Sequence, residues 1–113
     1  MVRLETVHEL ALAFPETDTH PHFNRIAFRV RKKIFATLSE KENTLNLMLS
    51  VVDQSVFCAF DREIIYPVPG GWGKKGATTV NLARIKLPML RDALTVAYCN
   101  IAPPKLAEPF RRE

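Results

Sequence analysis

Asn24-Arg25-Ile26-Ala27-Phe28-Arg29-Val30-Arg31-Lys32-Lys33-Ile34-Phe35-Ala36-Thr37-Leu38 is the stretch that decides the fold. Ile26, Phe28 and Val30 alternate with Arg25, Ala27 and Arg29. In an extended chain this puts the apolar set on one face and the other set outward. Arg31-Lys32-Lys33 then reads as a basic turn, and Ile34 to Leu38 as the returning strand of a hairpin. Glu40-Lys41-Glu42-Asn43 is a second polar turn, in which Asn43 tolerates a left-handed backbone. Leu45, Leu47 and Leu49 alternate with Asn46, Met48 and Ser50 and give a third strand. Three successive strands with short turns make an antiparallel meander. One face is apolar, so helices are expected on that side only.

On the N-terminal side, Leu4, Val7, Ala11 and Phe14 recur at helical spacing, with Glu5 and Glu9 on another face. Pro15 ends that helix. Residues 16–23 read as a polar loop. Its His20-Pro21-His22 invites a metal reading, because alternate imidazoles of an extended chain point the same way. No carboxylate or third histidine is placed to complete such a site, and His8 lies on the helix, so exposed loop histidines are the simpler reading.

On the C-terminal side, Ser50-Val51-Val52-Asp53 is a helix-start pattern, with the serine oxygen capping a backbone amide. The helix is expected to run to about residue 60 and to bury Val52, Val56 and Phe60. Ile64-Ile65-Tyr66 reads as a short strand, with Pro67 and Pro69 confining pairing to an edge. Residues 77–82, β-branched and alternating, read as a fifth strand. Pro88 suits a helix first turn, followed by a stripe of Leu90, Leu94, Ala97, Tyr98 and Ile101. Pro103-Pro104 stops it, and residues 105–113 read as a tail prone to fray unless Leu106 and Phe110 hold it down. The expectation is one α+β domain over residues 1–113. It has a single antiparallel sheet of about five strands, helices on one face and an α-β-β-β-α-β-β-α order.

Composition narrows the function classes. The chain has 113 residues, 47% hydrophobic and 25% charged, enough for one core. No apolar run approaches the roughly 20 residues that span a bilayer. Glu5 and Glu9 interrupt any signal-peptide pattern, so a cytoplasmic location is expected and no membrane partner. Cys58 and Cys99 fall in apolar helical segments without a Cys-x-x-Cys spacing, and read as buried thiols. The net charge of +4 favours an anionic partner.

All four glycines and the only tryptophan lie in Gly70-Gly71-Trp72-Gly73-Lys74-Lys75-Gly76. The spacing satisfies Gly-x-Gly-x-x-Gly, but a β-branched strand follows where a dinucleotide site needs a helix N-terminus. No Gly-Lys-Ser/Thr makes it a P-loop. It reads as a tight connection with Trp72 packed over the sheet. The competing reading is an anion cradle of backbone amides aided by Lys74 and Lys75. No nucleophile elbow, His-Glu-x-x-His or paired carboxylates stand out, so no catalytic residue and no cofactor are expected.

Pro21-His22-Phe23-Asn24-Arg25-Ile26-Ala27-Phe28-Arg29-Val30, Lys33-Ile34-Phe35-Ala36-Thr37-Leu38, Leu45-Asn46-Leu47, Tyr66-Pro67-Val68-Pro69 and Gly71-Trp72-Gly73 together resemble the MmcQ/YjbR family. The likeness runs over about residues 5–104. It implies a frataxin-like (CyaY-like) fold and a DNA-binding, double-wing label, with no catalytic motif to carry over. Frataxins hold iron on an acidic ridge of the first helix and adjoining strand. Here that helix offers only Glu5 and Glu9, beside a basic hairpin, so iron delivery is not expected.

Three functions compete. The first is a non-enzymatic DNA-binding module using Arg29, Arg31, Lys32 and Lys33 on one hairpin and Trp72, Lys74 and Lys75 on the glycine turn. The second is a protein- or small-ligand-binding adaptor on the open sheet face, using Arg29, Thr37, Asn46, Met48 and Trp72. The third is an anion site, or an unrecognised enzyme, assembled from His22, Arg29, Trp72 and Lys75.

Overall fold

The alternation over residues 25–49 builds the meander it predicts. In the computed structural model, which describes residues 1–111, strands β2 (Arg25–Val30), β3 (Lys33–Ser39) and β4 (Thr44–Met48) pair antiparallel in sequence order. Phe28, Val30, Leu38, Leu45 and Leu47 have no exposed surface. Asn43 takes the left-handed backbone expected of it, at φ 55°. The pairing shifts register between Phe28 and Arg29, leaving Phe35 as an extra residue in β3. This bulge lets both Phe35 and Ala36 enter the core, which strict alternation forbids.

Helices α1 (Leu4–Leu12) and α4 (Leu87–Ile101) cover the apolar face. Pro88 sits in the first turn of α4, and Leu90, Ala93, Leu94, Ala97 and Tyr98 are its buried stripe. Tyr98 stacks on Phe14 at 4.5 Å between ring centres and meets Phe35 edge-on at 5.5 Å. Its hydroxyl donates to the Pro15 carbonyl at 2.8 Å. Strands β5 (Ile65–Pro67) and β6 (Ala77–Asn81) complete a sheet of order β1-β2-β3-β4-β6-β5. Pro67 lies on an edge strand, where its missing N–H leaves no ladder bond broken.

Three expectations need correction, and the conditional one on the tail is resolved. The sheet has six strands, because residues read as a polar loop form β1 (Thr17–His22), paired along its whole length with β2. Its lack of apolar alternation hid it. β1 is an edge strand whose stability comes from its ladder and from cross-strand charge. Asp18 and Arg29 form a two-pronged ion pair, and so do Glu16 and Arg31 just beyond the strand. Each acid and its arginine stand equidistant from the Phe23-Asn24 turn, as the hairpin register demands.

The second correction concerns helix α2 (Val51–Cys58). Ser50 caps it as read, its hydroxyl accepting from the Asp53 amide at 3.1 Å. The helix nevertheless faces the opposite way. Val52, Val56 and Phe60 are 73%, 55% and 66% exposed, while Gln54 and Cys58 are buried. The Gln54 side-chain nitrogen donates to the Gly73 carbonyl at 2.8 Å and the Ala77 carbonyl at 3.0 Å. Two oxygen acceptors require the NH₂ of the amide to point at them. Periodicity places an apolar stripe on a helix; here a buried polar clamp decides which face turns inward.

The tail is ordered through Phe110. Helix α5 (Pro104–Ala107) and a 3₁₀ turn (Glu108–Phe110) fold back, and Phe110 meets Phe14 and Tyr98 edge-on at 5.2 and 5.7 Å. Arg112 and Glu113, in the segment read as fraying, lie outside the described residues. Third, Cys58 is buried but Cys99 only partly so. Burial pushes both thiols up, which keeps them protonated at neutral pH. Among the described residues, no helix is long and apolar enough to cross a membrane.

Two outcomes follow from these contacts. Gln54→Glu places carboxylate oxygens against two carbonyls, so at neutral pH it lowers stability by at least about 2 kcal/mol in denaturant melts. Acidification restores part of that loss as the carboxyl gains a proton it can donate. Val56→Thr, on the outer face, shifts stability by less than about 0.5 kcal/mol. A Gln54→Glu protein as stable as the parent contradicts the clamp. The second outcome concerns β1. The arginine hydrogen bonds hold the Glu16 and Asp18 carboxyls below the usual range. The stability they contribute is therefore present above about pH 4 and lost as pH falls through the lower folded values. Amide protection in β1 declines below that point relative to β3, and a Glu16→Gln, Asp18→Asn double variant lacks the decline. Equal pH dependence in parent and variant removes the ion pairs from the explanation.

Candidate nucleic-acid interface

The β2–β3 hairpin turns through Arg31 and Lys32, both with positive φ, at 47° and 69°. Two central residues with φ > 0 mark the tight hairpin turn that ordinarily selects Asn and Gly. Here two long cations occupy it, at a conformational cost of roughly 1 kcal/mol each. Arg31 is held by Glu16 at 2.8 and 3.1 Å. Its guanidinium pKa rises, chiefly through that hydrogen bond. Arg29 is held by Asp18 at 2.9 Å through both prongs, and its side chain is 19% exposed. Both arginines therefore present little unbalanced positive charge. Lys32 and Lys33 are exposed and enter no ion pair among the described residues.

The glycine stretch forms a helical turn, α3 (Gly71–Lys74), between β5 and β6. Gly76 has φ 114°, and a Cβ there would collide with the Leu49 carbonyl. A Cβ on Gly73 would collide with the Val68 carbonyl. Close backbone packing, together with the Gln54 clamp, fixes the turn. Trp72 does not pack over the sheet as its sequence setting suggested. It projects outward, 70% exposed, because Gly73 takes the inward position of the turn. The Lys75 ammonium lies 5.5 Å from the Trp72 ring centre, a cation–π distance. Lys74 is exposed beside it.

These two basic features share one end of the sheet. Ala36 stands opposite Leu47 and Met48 opposite Ala77, so Lys33, Met48 and Ala77 all lie toward the same end. At about 4.8 Å per strand spacing, the hairpin tip and the glycine turn are on the order of 10–20 Å apart. Five of the seven proposed contact residues are thus grouped and available: Lys32, Lys33, Trp72, Lys74 and Lys75.

The anion site expected from His22, Arg29, Trp72 and Lys75 does not assemble. His22 pairs with Arg25 at the opposite end of β1, and Lys75 lies beyond β6, four strands across. Arg29 is taken by Asp18. Among the described residues, no group of three or more His, Cys, Asp or Glu side chains is placed to hold a metal ion. The open sheet face bonds largely to itself. Arg25 lies over Thr37, donating to its hydroxyl and its carbonyl at 3.0 Å. Thr79 donates to Asn46 at 2.8 Å.

Two features went unread in the sequence. Glu16 and Asp18 neutralise the hairpin arginines, and their nested spacing around Phe23-Asn24 was the available signal. Phe23, at the β1–β2 turn, is 95% exposed with φ 56°, a backbone that a bulky side chain rarely adopts.

The YjbR family model matches residues 12–100. A crystal structure of the Deinococcus radiodurans protein DR2400, which carries the DUF419 domain, superposes with a TM-score of 0.76 at 14% identity. The superposition covers 97% of this chain and 88% of that one, and at such low identity it speaks for the fold alone. No curated protein matches the chain by sequence. With the match extending from the end of α1 almost to the end of α4, the chain belongs to the YjbR family.

Proposed function

We propose that this protein is a non-enzymatic nucleic-acid-binding module that contacts unpaired DNA through one end of its sheet, with little sequence preference. The carrying observation is Trp72: a lone tryptophan, 70% exposed, beneath the Lys75 ammonium at 5.5 Å, on a turn held rigid by glycine packing. An exposed aromatic ring beside cations suits base stacking and phosphate contact together. Lys32 and Lys33 extend the cationic surface along the same end. Arg29 and Arg31, paired with carboxylates, drop out of the contact set. Lysines that reach phosphate fit backbone recognition over sequence readout. An adaptor role on the open sheet face has less support, because its polar groups bond one another.

Fluorescence anisotropy with a labelled single-stranded oligonucleotide tests this. Binding is expected at low salt, with a log–log salt slope of about −3 for four lysine–phosphate contacts. Trp72→Ala raises Kd roughly fivefold to a hundredfold, and Lys74→Glu, Lys75→Glu abolishes binding. An Asp18→Ala, Arg29→Ala double variant, which keeps the net charge, stays within about twofold of the parent. No binding at low salt, or binding indifferent to Trp72 and Lys74/Lys75, overturns the proposal.

A further inference from the structure

His20-Pro21-His22 stands on an edge strand, not in a loop, and that changes what its imidazoles can do. Strand β1 pairs with β2 at every position from Thr17 to His22, without a bulge. Alternate residues of such a strand project to one face, so Asp18, His20 and His22 share a side. Directly opposite residues share it too, which places both imidazoles with Arg25 and Ala27 on the open face of the sheet. His8, on α1, meets Phe28 edge-on at 5.1 Å on the other face and takes no part.

The geometry suits a chelate. The two Cα atoms are about 7 Å apart along the strand. Rings rooted at that spacing can bring one nitrogen each to about 3 Å apart, the separation of adjacent ligands on an ion bonded at about 2.0 Å. Pro21 fixes the backbone φ between them and the β2 ladder holds both residues, so little freedom is lost on binding. His20 is exposed, and His22 is half-buried with its ring edge-on to Phe23 at 5.0 Å. Among the described residues, no hydrogen bond or ion pair takes up a ring nitrogen of either. The neighbouring charges are engaged elsewhere. Arg25 donates to Thr37, and both Asp18 oxygens accept from Arg29.

The donor set selects the ion. Imidazole nitrogens suit late first-row divalent cations, whereas Mg²⁺ and Ca²⁺ require oxygen ligands. A closed tetrahedral zinc site needs four protein ligands, and among the described residues no third is placed to join these two. Two nitrogens, with water completing the shell, match the tetragonal preference of Cu²⁺ and Ni²⁺. We propose that His20 and His22 form a two-imidazole site for a cation of the Cu²⁺ or Ni²⁺ type on the open face of β1. Neither residue belongs to the nucleic-acid surface, which lies at the other end of the sheet, so the two proposals stand or fall separately.

Titration of the isotope-labelled full chain with nickel chloride, followed by NMR and calorimetry, tests it. Ni²⁺ is expected to bind as a single equivalent and to broaden the amides of residues 19–23 and of Arg25 to Ala27 before any others. A second imidazole on the same strand raises affinity about 100-fold over one alone, so His20→Ala and His22→Ala each weaken binding to that extent. His8→Ala leaves the affinity unchanged, and Mg²⁺ gives no binding heat. His20 is exposed, so its variant keeps the parent spectrum outside β1 and decides the question even if the His22 variant loosens the Phe23 turn. No binding at about 1 mM Ni²⁺ overturns the proposal. So does a loss of less than about tenfold in His20→Ala, or broadening centred on the N-terminus, Cys99 or Trp72.

Discussion

The Gln54 side chain, reaching from α2 to the Gly73 and Ala77 carbonyls, is the contact on which the rest of the surface depends. It joins the helix after the meander to the glycine turn and the start of β6, 19 and 23 residues further along the chain. Because its donors are buried, they must be satisfied, and this single requirement sets the rotation of α2. The same bonds hold the glycine turn against the β4–α2 junction, where Gly76 already lies against the Leu49 backbone. Two consequences follow on opposite sides of one contact. Val51, Val52 and Val56 of α2 face solvent, and Trp72 projects from the sheet end.

The parts of the fold legible in the sequence are those governed by burial. The meander, the α4 stripe and the Pro88 helix start all reflect apolar residues repeating at the period of the element that buries them. The family likeness pointed to an α+β architecture too, and the YjbR match bears out the family itself. The parts that were not legible are governed by polar contacts between distant residues. β1 contains no apolar alternation; its register is written in the pairing of Asp18 with Arg29 and of Glu16 with Arg31, visible only once the Phe23-Asn24 turn is recognised. The orientation of α2 depends on Gln54, whose partners lie 19 and 23 residues away. No periodicity argument reaches that far.

Charge tells the same story for the candidate site. Counting Arg29 and Arg31 with Lys32 and Lys33 gives one strongly basic hairpin. The folded chain divides that cluster, balancing the arginines with carboxylates from the adjacent edge strand and leaving the lysines in water. The arginines become part of what holds β1 to the sheet, and the cationic character shifts to the tip and to the glycine turn. Both sheet edges are also blunted against strand addition. β1 carries Pro21 and the charged Asp18, and β5 is three residues long with Pro67. Strand addition is thus disfavoured at either edge of the sheet.

The most direct measurement is NMR of the Gln54 side-chain amide, with hydrogen exchange and nuclear Overhauser contacts recorded together. The clamp predicts two slowly exchanging amide protons in contact with Gly73 and Ala77, and Val56 methyl groups that touch no core residue. Rapid exchange of those protons, with Val56 methyls in contact with Ile65 or Leu90, would contradict it. The outward apolar ridge would then disappear, and so would the fixed setting of Trp72.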